Sequence, residues 1–313
     1  MILEDFIEIQ AAGLFCKYGN FYLDPQLPVA KAVISHAHAD HAVSGNKQVW
    51  CTPATATFMQ HRYKKFAAEE FLLFNYNEHT QIGDVKITFI SAGHILGSAQ
   101  ILMEYKGIKY LYTGDYKLQK DATCEAYHFA KADVLITETT FADPDTIHPD
   151  PSIEILKLNN EPFNIMLGAY ALGKSQTIIQ LINQCCPSKK ILLHHSIMPF
   201  AKIYESYGIQ LGDYAMYDRK SMKQNNQGFV YMVPPMVFNS YFRAINVKRA
   251  FATGWKKKQE GNDLQLYISD HADWNGILET IEKTEPKQVW TLHGDGTKLQ
   301  NYLSGKIDVK ILN

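Results

Sequence analysis

The sequence predicts an α/β protein built in two parts, and three observations carry that expectation. Short apolar runs of strand type alternate with helix-like stretches along 313 residues. Six of those runs are followed closely by a His, Asp or Glu, the arrangement that gathers polar groups at one edge of a sheet. Charge is unevenly spread. Residues 166–258 hold thirteen basic side chains against three acidic ones, a net of +10, whereas the remainder carries −11 and the whole chain only −1.

Strands are expected over residues 31–35, 85–91, 109–112, 134–137, 164–167, 190–194, 265–269 and 289–292. Helical spacing of apolar residues predicts helices over 54–64, 175–184, 199–207, 274–283 and 297–303. Gly107, Pro144, Pro149, Pro151, Pro162 and Gly261 supply the turn chemistry between them. Neither a repeat nor a low-complexity tract interrupts this order. A chain that is 46% hydrophobic and 20% charged buries a real core, which excludes disordered and collagen-like classes. The longest apolar runs are too short for a membrane span. The opening Met1-Ile2-Leu3-Glu4-Asp5 is acidic where an export signal carries Lys or Arg, so a cytoplasmic location is expected. Five cysteines, odd in number and without a C-x-x-C pair, fit reduced thiols.

The densest chemistry lies in Ser35-His36-Ala37-His38-Ala39-Asp40-His41, an H-x-H-x-D-H run. In a loop, His36 and His38 can reach one metal while Asp40 and His41 reach a second; imidazole suits zinc, and a carboxylate adds charge to a two-metal site. Core packing does not ask for that spacing. His94 follows between Gly93 and Gly97, and Asp115 follows Gly114. A carboxylate such as Asp115 can bridge two ions, one oxygen to each. Taken singly, His94 reads as a core histidine and Asp115 as a turn residue; the ordered set is what makes them specific.

That ordered set resembles the metallo-β-lactamase fold, which implies an αββα sandwich with metals at one rim. Asp24, before Pro25, is similar to the early strand-end Asp of that family, which supports the site rather than ligating; a plain turn Asp is the other reading. The second half resembles the β-CASP nucleases: Ala132-Asp133-Val134-Leu135-Ile136-Thr137-Glu138 is similar to their acidic motif. Ser269-Asp270-His271-Ala272-Asp273 and Leu292-His293-Gly294-Asp295 are similar to their two late histidine motifs. Tyr170-Ala171-Leu172-Gly173-Lys174-Ser175-Gln176 resembles the start of their inserted domain, with Lys174 where Arg is frequent. The likeness covers nearly the whole chain and is nearest to bacterial exonucleases encoded beside DNA ligases, also labelled messenger-RNA 3′-end processing factors.

The resemblance implies a metallo-β-lactamase domain in two parts, 1–165 and 259–313, around a basic cap at 166–258. It also implies two divalent ions, zinc by ligand type, although manganese tolerates the same set. On this reading His36, His38 and His94 hold the first ion, Asp40, His41 and His293 the second, and Asp115 bridges. The ions would lower the pKa of a bound water toward about 7 and so supply the hydroxide that attacks phosphorus. His271, oriented by Glu138, protonates the leaving oxygen; a further ligand or a packed histidine is the alternative for it. Lys174, Ser175, Lys256, Lys257 and Lys258 are candidate contacts to the nucleic-acid backbone.

The expected function is phosphodiester cleavage of nucleic acid, a DNA exonuclease in repair ahead of an RNA-processing β-CASP ribonuclease. A small-molecule metallohydrolase and a silent binding module rank below both. The partners implied are nucleic acid and, by family likeness, DNA ligase and helicase, with no membrane. Gly168-Ala169-Tyr170-Ala171-Leu172-Gly173-Lys174-Ser175 matches G-x-x-x-x-G-K-S literally, but bulky Tyr170 and Leu172 oppose close wrapping of a nucleotide phosphate. His194-His195 reads as structural or substrate contact rather than a third metal site.

Overall fold

The N-terminal stretch folds as β1 (Ile7–Gln10), β2 (Gly13–Cys16), β3 (Phe21–Leu23), β4 (Lys31–Val33), β5 (Asn46–Cys51) and β6 (Ala68–Leu73), joined in that order into one sheet. The first three strands pair antiparallel, and β3 to β6 pair in parallel. Between β5 and β6 runs α1 (Pro53–Tyr63), started by Thr52, whose side chain accepts from Thr55 N, and by Pro53 in the first turn. A second sheet contains β7 (His79–Ile82), β8 (Val85–Ser91), β9 (Ala99–Tyr105), β10 (Ile108–Tyr112), β11 (Val134–Glu138), β18 (Gln288–Leu292) and β19 (Asp308–Ile311). Its order is β19-β18-β11-β10-β9-β8-β7. This computed structural model describes residues 1–218, 228–240 and 246–312.

Period-two alternation sets the layers. Tyr110 and Tyr112 of β10, Val134 and Ile136 of β11, and Trp290 and Leu292 of β18 share one core with Val33, Phe21 and Leu23 of the first sheet. The intervening Leu111, Leu135 and Val289 face the other way, onto Trp274, Ile277 and Ile281 of α6 (Trp274–Thr284) and Leu299 and Leu303 of α7 (Thr297–Leu303). On the far side Ala32, Ile34, Val49 and Cys51 pack with Ala56 and Met59 of α1. The result is helix, sheet, sheet, helix, the expected αββα order. This unit comprises residues 1–120, 124–147 and 271–313.

The second unit comprises 121–123 and 148–270. Its sheet is parallel throughout, in the order β14 (Ala215–Met216), β13 (Lys190–Leu193), β15 (Phe229–Val233), β12 (Asn164–Gly168), β16 (Val247–Ala252), β17 (Leu264–Leu266). Every residue of β12 and β15 is buried, as a parallel sheet covered on both faces requires. Helices α2 (Pro151–Leu156), α3 (Lys174–Cys185), α4 (Met198–Ser206) and α5 (Pro235–Ser240) accompany it. The unit extends beyond the 166–258 read from charge because α2 packs on α3 and β17 adds to the edge at β16.

Of the basic residues counted in that segment, Arg219, Lys220, Lys223 and Arg243 lie outside the described residues. All five cysteines are free thiols. Among the described residues no helix is long and apolar enough to cross a membrane.

Candidate metal centre

Parallel pairing of β3 with β4, of β10 with β11 and of β11 with β18 sends the carboxyl ends of neighbouring strands to a common edge. Asp24 follows β3, His36 follows β4, His94 follows β8, Asp115 follows β10, Glu138 ends β11 and His293 follows β18. Two glycines make the close approach. A side chain at Gly93, where φ is +70°, would put its Cβ 2.3 Å from the Lys117 carbonyl oxygen. At Gly114, φ +55°, a Cβ would meet Ser35 at 2.7 Å.

The imidazoles converge. His38 Nδ1 lies 3.2 Å from His36 Nε2 and 3.0 Å from His94 Nε2. Asp115 Oδ2 lies 3.6 Å from His36 Nε2, 3.8 Å from His94 Nε2 and 3.3 Å from His41 Nε2. Bonds of 2.0–2.1 Å to a tetrahedral zinc imply ligand–ligand edges of about 3.3 Å. Three lone-pair nitrogens facing one another at nearly that spacing, beside a carboxylate, fit a divalent cation. His36, His38, His94 and Asp115 form one group able to hold an ion, and Asp24, His36 and His41 form a second. Asp115, Glu138 and His271 form a third.

The ligand loop is pinned through its backbone. His38 O accepts from His41 N and Ala42 N, Ala37 O from Arg62 Nη1 at 2.7 Å, and Asp40 O from Gln26 Nε2 at 2.6 Å. His94 N and Ile95 N both donate to Ser98 Oγ, and Gly97 O accepts from Thr52 Oγ1 at 2.6 Å, which ties the His94 loop to the start of α1.

Asp24 is buried and aimed at the site. Its carboxylate accepts from Ser35 N (2.7 Å), Ser35 Oγ (2.5 Å) and Tyr112 Oη (2.8 Å), and pairs with His41 Nδ1 at 2.9 Å. The turn reading of Asp24 is therefore incomplete: it orients His41 so that Nε2 faces Asp115. Ser35 and Tyr112 went unnoticed in the sequence. Tyr112 sits on the inward face of β10, and its motif precedes Asp115, which is the only signal that pointed to it.

Burial sets the electrostatics. Burial, with His41 and His94 nearby, pushes His36 well below its usual pKa against the pull of Asp115. Burial also opposes a charge on His41, but Asp115 and Asp24 outweigh it and hold that imidazole well above its usual value. Asp115 would be raised by burial, yet His41, His271 and His36 hold it well below the carboxylate range. Burial and the Asp24 carboxylate push the Tyr112 phenol up.

His271 does not hang from a strand of these sheets, as the run 265–269 had suggested. That strand is only β17, in the other unit, and His271 belongs to the turn before α6, fixed by Ala272 N donating to Tyr116 O at 2.7 Å. Its Nδ1 lies 2.8 Å from Glu138 Oε2 and 3.9 Å from Asp115 Oδ2. Glu138 is buried and also accepts from Tyr116 N (3.0 Å) and Thr140 Oγ1 (2.6 Å).

Other expected residues are placed differently. Asp40 and His293 are exposed and belong to none of the three groups, although the His293 ring lies 5.2 Å from that of His41. His293 has a positive φ of 53°, uncommon for a residue with a side chain. Lys174 and Ser175 are buried. Lys174 Nζ pairs with Asp270 at 2.9 Å, and Ser175 Oγ donates to Tyr170 O at 2.7 Å, so both groups hold the loop together rather than face a phosphate. Gly173 N likewise donates to Gln176 Oε1 at 2.8 Å, leaving no phosphate cradle in the G-x-x-x-x-G-K-S match. Lys256, Lys257 and Lys258 are exposed. The His194 and His195 rings lie 4.0 Å apart, tilted by 40°, and enter no metal-capable group among the described residues.

Known proteins resemble this chain over most of its length. A "Probable DNA ligase" of Opitutus terrae is 30% identical over 308 residues, covering 93% of this chain and 29% of that protein. An "RNase J-like protein" of Methanocaldococcus jannaschii is 31% identical over 212 residues, covering 57% and 50%. The "Cleavage and polyadenylation specificity factor subunit 3-I" of Arabidopsis thaliana is 22% identical over 319 residues, covering 84% and 45%. The chain thus spans half or less of each of these relatives. A solved protein of unknown function from Enterococcus faecalis V583 shares the fold at a TM-score of 0.59 with 14% identity, covering 93% of this chain and 80% of that one. The model of the Beta-lactamase superfamily domain matches residues 21–195. With its ligand-rich loops on the rim of an αββα sandwich, the chain belongs to the beta-lactamase superfamily.

Proposed function

We propose that this chain is a metal-dependent phosphodiesterase that cleaves nucleic acid, acting as a DNA exonuclease in repair. The observation that carries the reading is the Glu138–His271 pair, 2.8 Å apart and set beside the Asp115 cluster. The alkoxide leaving group of a phosphodiester is poor and calls for a proton, whereas a thiolate leaves without one. A positioned imidazole with its own carboxylate therefore favours phosphodiester over thioester chemistry.

His36, His38, His94 and Asp115 would hold one divalent ion, with Asp40, His41 and His293 around a second and Asp115 shared. The bound ions would supply Lewis-acid charge and a water acidic enough to serve as nucleophile near neutral pH. Zinc suits these ligands best, and manganese tolerates them. Asp24 holds His41 in place through Nδ1. Glu138 takes His271 Nδ1, which leaves Nε2 to deliver the proton to the departing oxygen. Lys256, Lys257 and Lys258 would meet backbone phosphates, and the second unit would serve as the β-CASP-like cap. A cytoplasmic location and work alongside DNA ligase and helicase complete the reading.

DNA is favoured because the "Probable DNA ligase" aligns with 93% of this chain, against 57% for the "RNase J-like protein". RNA processing is the second reading, favoured by the latter name and by His293, since a histidine at that motif resembles RNA-acting members. Single-stranded DNA and RNA of one sequence, labelled at the 5′ or the 3′ end, separate the two. Zinc- or manganese-loaded protein should release mononucleotides from DNA. Cleavage confined to RNA would transfer the assignment to the second reading, and intact strands of both kinds would reject nuclease activity.

A further inference from the structure

Trp255 departs from the other tryptophans. Of the four in the chain, Trp50, Trp274 and Trp290 are 7%, 6% and 0% exposed, whereas Trp255 is 45% exposed. An indole with nearly half of its surface in water forgoes part of the burial that stabilises its counterparts. Lys256, Lys257 and Lys258 follow it directly, all exposed, and the Lys258 ammonium lies 6.0 Å from the centre of the Trp255 ring.

The turn that carries these four side chains is braced from beneath. Gln259 is fully buried; its Nε2 donates to Thr253 O (3.3 Å) and Leu266 O (2.7 Å), and its Oε1 accepts from Leu266 N (3.3 Å). Trp255 N donates to Thr253 Oγ1 at 3.2 Å, and Lys258 N to Trp255 O at 3.2 Å. The backbone is therefore ordered before any ligand arrives, which lowers the entropic cost of binding.

We propose that Trp255 with Lys256, Lys257 and Lys258 is a binding platform for a single-stranded polynucleotide, one base stacked on the indole and neighbouring phosphates paired with the ammonium groups. The inference rests on the nucleic-acid reading above and sharpens it to strand state. Every base offers a flat face to an aromatic ring, but in a duplex those faces are already stacked on one another. Lysine is a point charge suited to backbone phosphate rather than to reading base edges. The net +10 of residues 166–258 supplies the complementary field. Trp255 appears in none of the charge or motif patterns that marked the lysines.

The test is a binding titration of the full chain carrying His271→Ala, so that the strand survives. The probes are oligodeoxythymidylate, oligouridylate of equal length, the deoxy strand in a duplex, an abasic oligomer and polyglutamate. Tryptophan fluorescence reports on Trp255, because the other three indoles are buried. Both single strands should quench it, and the tighter one names the sugar. Duplex, abasic oligomer and polyglutamate should not quench.

Trp255→Ala should weaken single-strand binding roughly 5- to 150-fold, with Trp255→Phe retaining most of the affinity. Replacing the three lysines with glutamine should reduce the slope of log affinity against log salt by about 2. Absence of quenching, unchanged affinity in Trp255→Ala, or abasic binding as tight as that of the base-bearing strand would overturn the platform. Quenching of the His271→Ala chain, with no cleavage by the unsubstituted metal-loaded chain, supports the platform while refuting the nuclease. Cleavage with binding indifferent to Trp255 does the reverse.

Discussion

At Asp24 one buried carboxylate gathers Ser35 N, Ser35 Oγ, Tyr112 Oη and His41 Nδ1 within 2.9 Å. Tyr112→Phe removes one of these donors and loosens His41. Affinity for the ion near His41 should fall about 10- to 100-fold, while the ion near His36, His38 and His94 stays; competition with a graded chelator reads both. Two unchanged affinities would take Tyr112 out of that role. His41 is held above its ordinary value of 6.5, so in the metal-free chain its ion pairs contribute stability that is full below that value and is lost as pH rises through the higher folded one. A divalent ion needs the neutral imidazole, so loading near pH 7 should release about one proton from His41. Calorimetric titration in buffers of different ionisation enthalpy measures it, and identical heats would contradict the assignment. His271→Ala should keep its metal and lose ~10²–10⁴ in rate on a polynucleotide, but little on bis(p-nitrophenyl) phosphate, whose nitrophenolate leaves unaided. Equal losses on both would remove the proton-donor role. At this scale the H-x-H-x-D-H run was legible because its spacing serves no core. The Asp24 network was not, since Tyr112 reads as one more inward-facing aromatic. Lys174 was misleading for a related reason: its Gly-Lys-Ser context matches a phosphate loop, and only burial against Asp270 shows the ammonium is already occupied.

Elements explain why the donors meet. Strands are readable where apolar residues alternate with polar ones, as in Val85–Ser91, or run on without a break, as at the start of Val134–Glu138. The short β1, β2 and β3 are not legible in the sequence: with three or four residues each, their alternation is too brief to stand out, and what stabilises them is pairing with the adjoining strands and burial in the shared core. The run at 265–269 predicts a strand leading into His271, but β17 stops at Leu266 and pairs with β16. Loop geometry at the rim depends on glycine. Gly93 and Gly107 share a left-handed φ, +70° and +76°, but a Cβ at Gly93 would lie 2.3 Å from a backbone oxygen, and at Gly107 it would meet nothing within 4 Å. Gly93→Ala should therefore cost about 2 kcal/mol or more beyond the strain of Gly107→Ala, measured by urea unfolding, and should displace His94. Equal costs would show that the loop yields without penalty.

On the scale of the whole molecule, two units with separate hydrophobic cores divide the work. Every metal-capable group lies in residues 1–120, 124–147 and 271–313, whereas the segment 166–258, with its net +10, lies wholly in the other unit. Ligand binding stabilises only the part that holds the ligand, by about 4 kcal/mol at a thousandfold excess over Kd. Stripping the metal should lower the calorimetric transition of the αββα unit and leave that of the parallel-sheet unit in place. A uniform shift of all unfolding would mean that the two melt as one cooperative block.

From the sequence alone came the identities of the donors, their order along the chain, the alternation that makes an α/β sandwich and the separation of charge. Those are local properties, carried by residue type and short spacing. Tertiary structure alone decided which nitrogens share a point, that Asp24 orients His41, that it is Nδ1 of His271 that faces Glu138, and that Lys174 is buried. Residues 24, 41 and 112, or 138 and 271, become neighbours only through strand pairing and core packing between distant segments, and such distances are not encoded in any single stretch of chain.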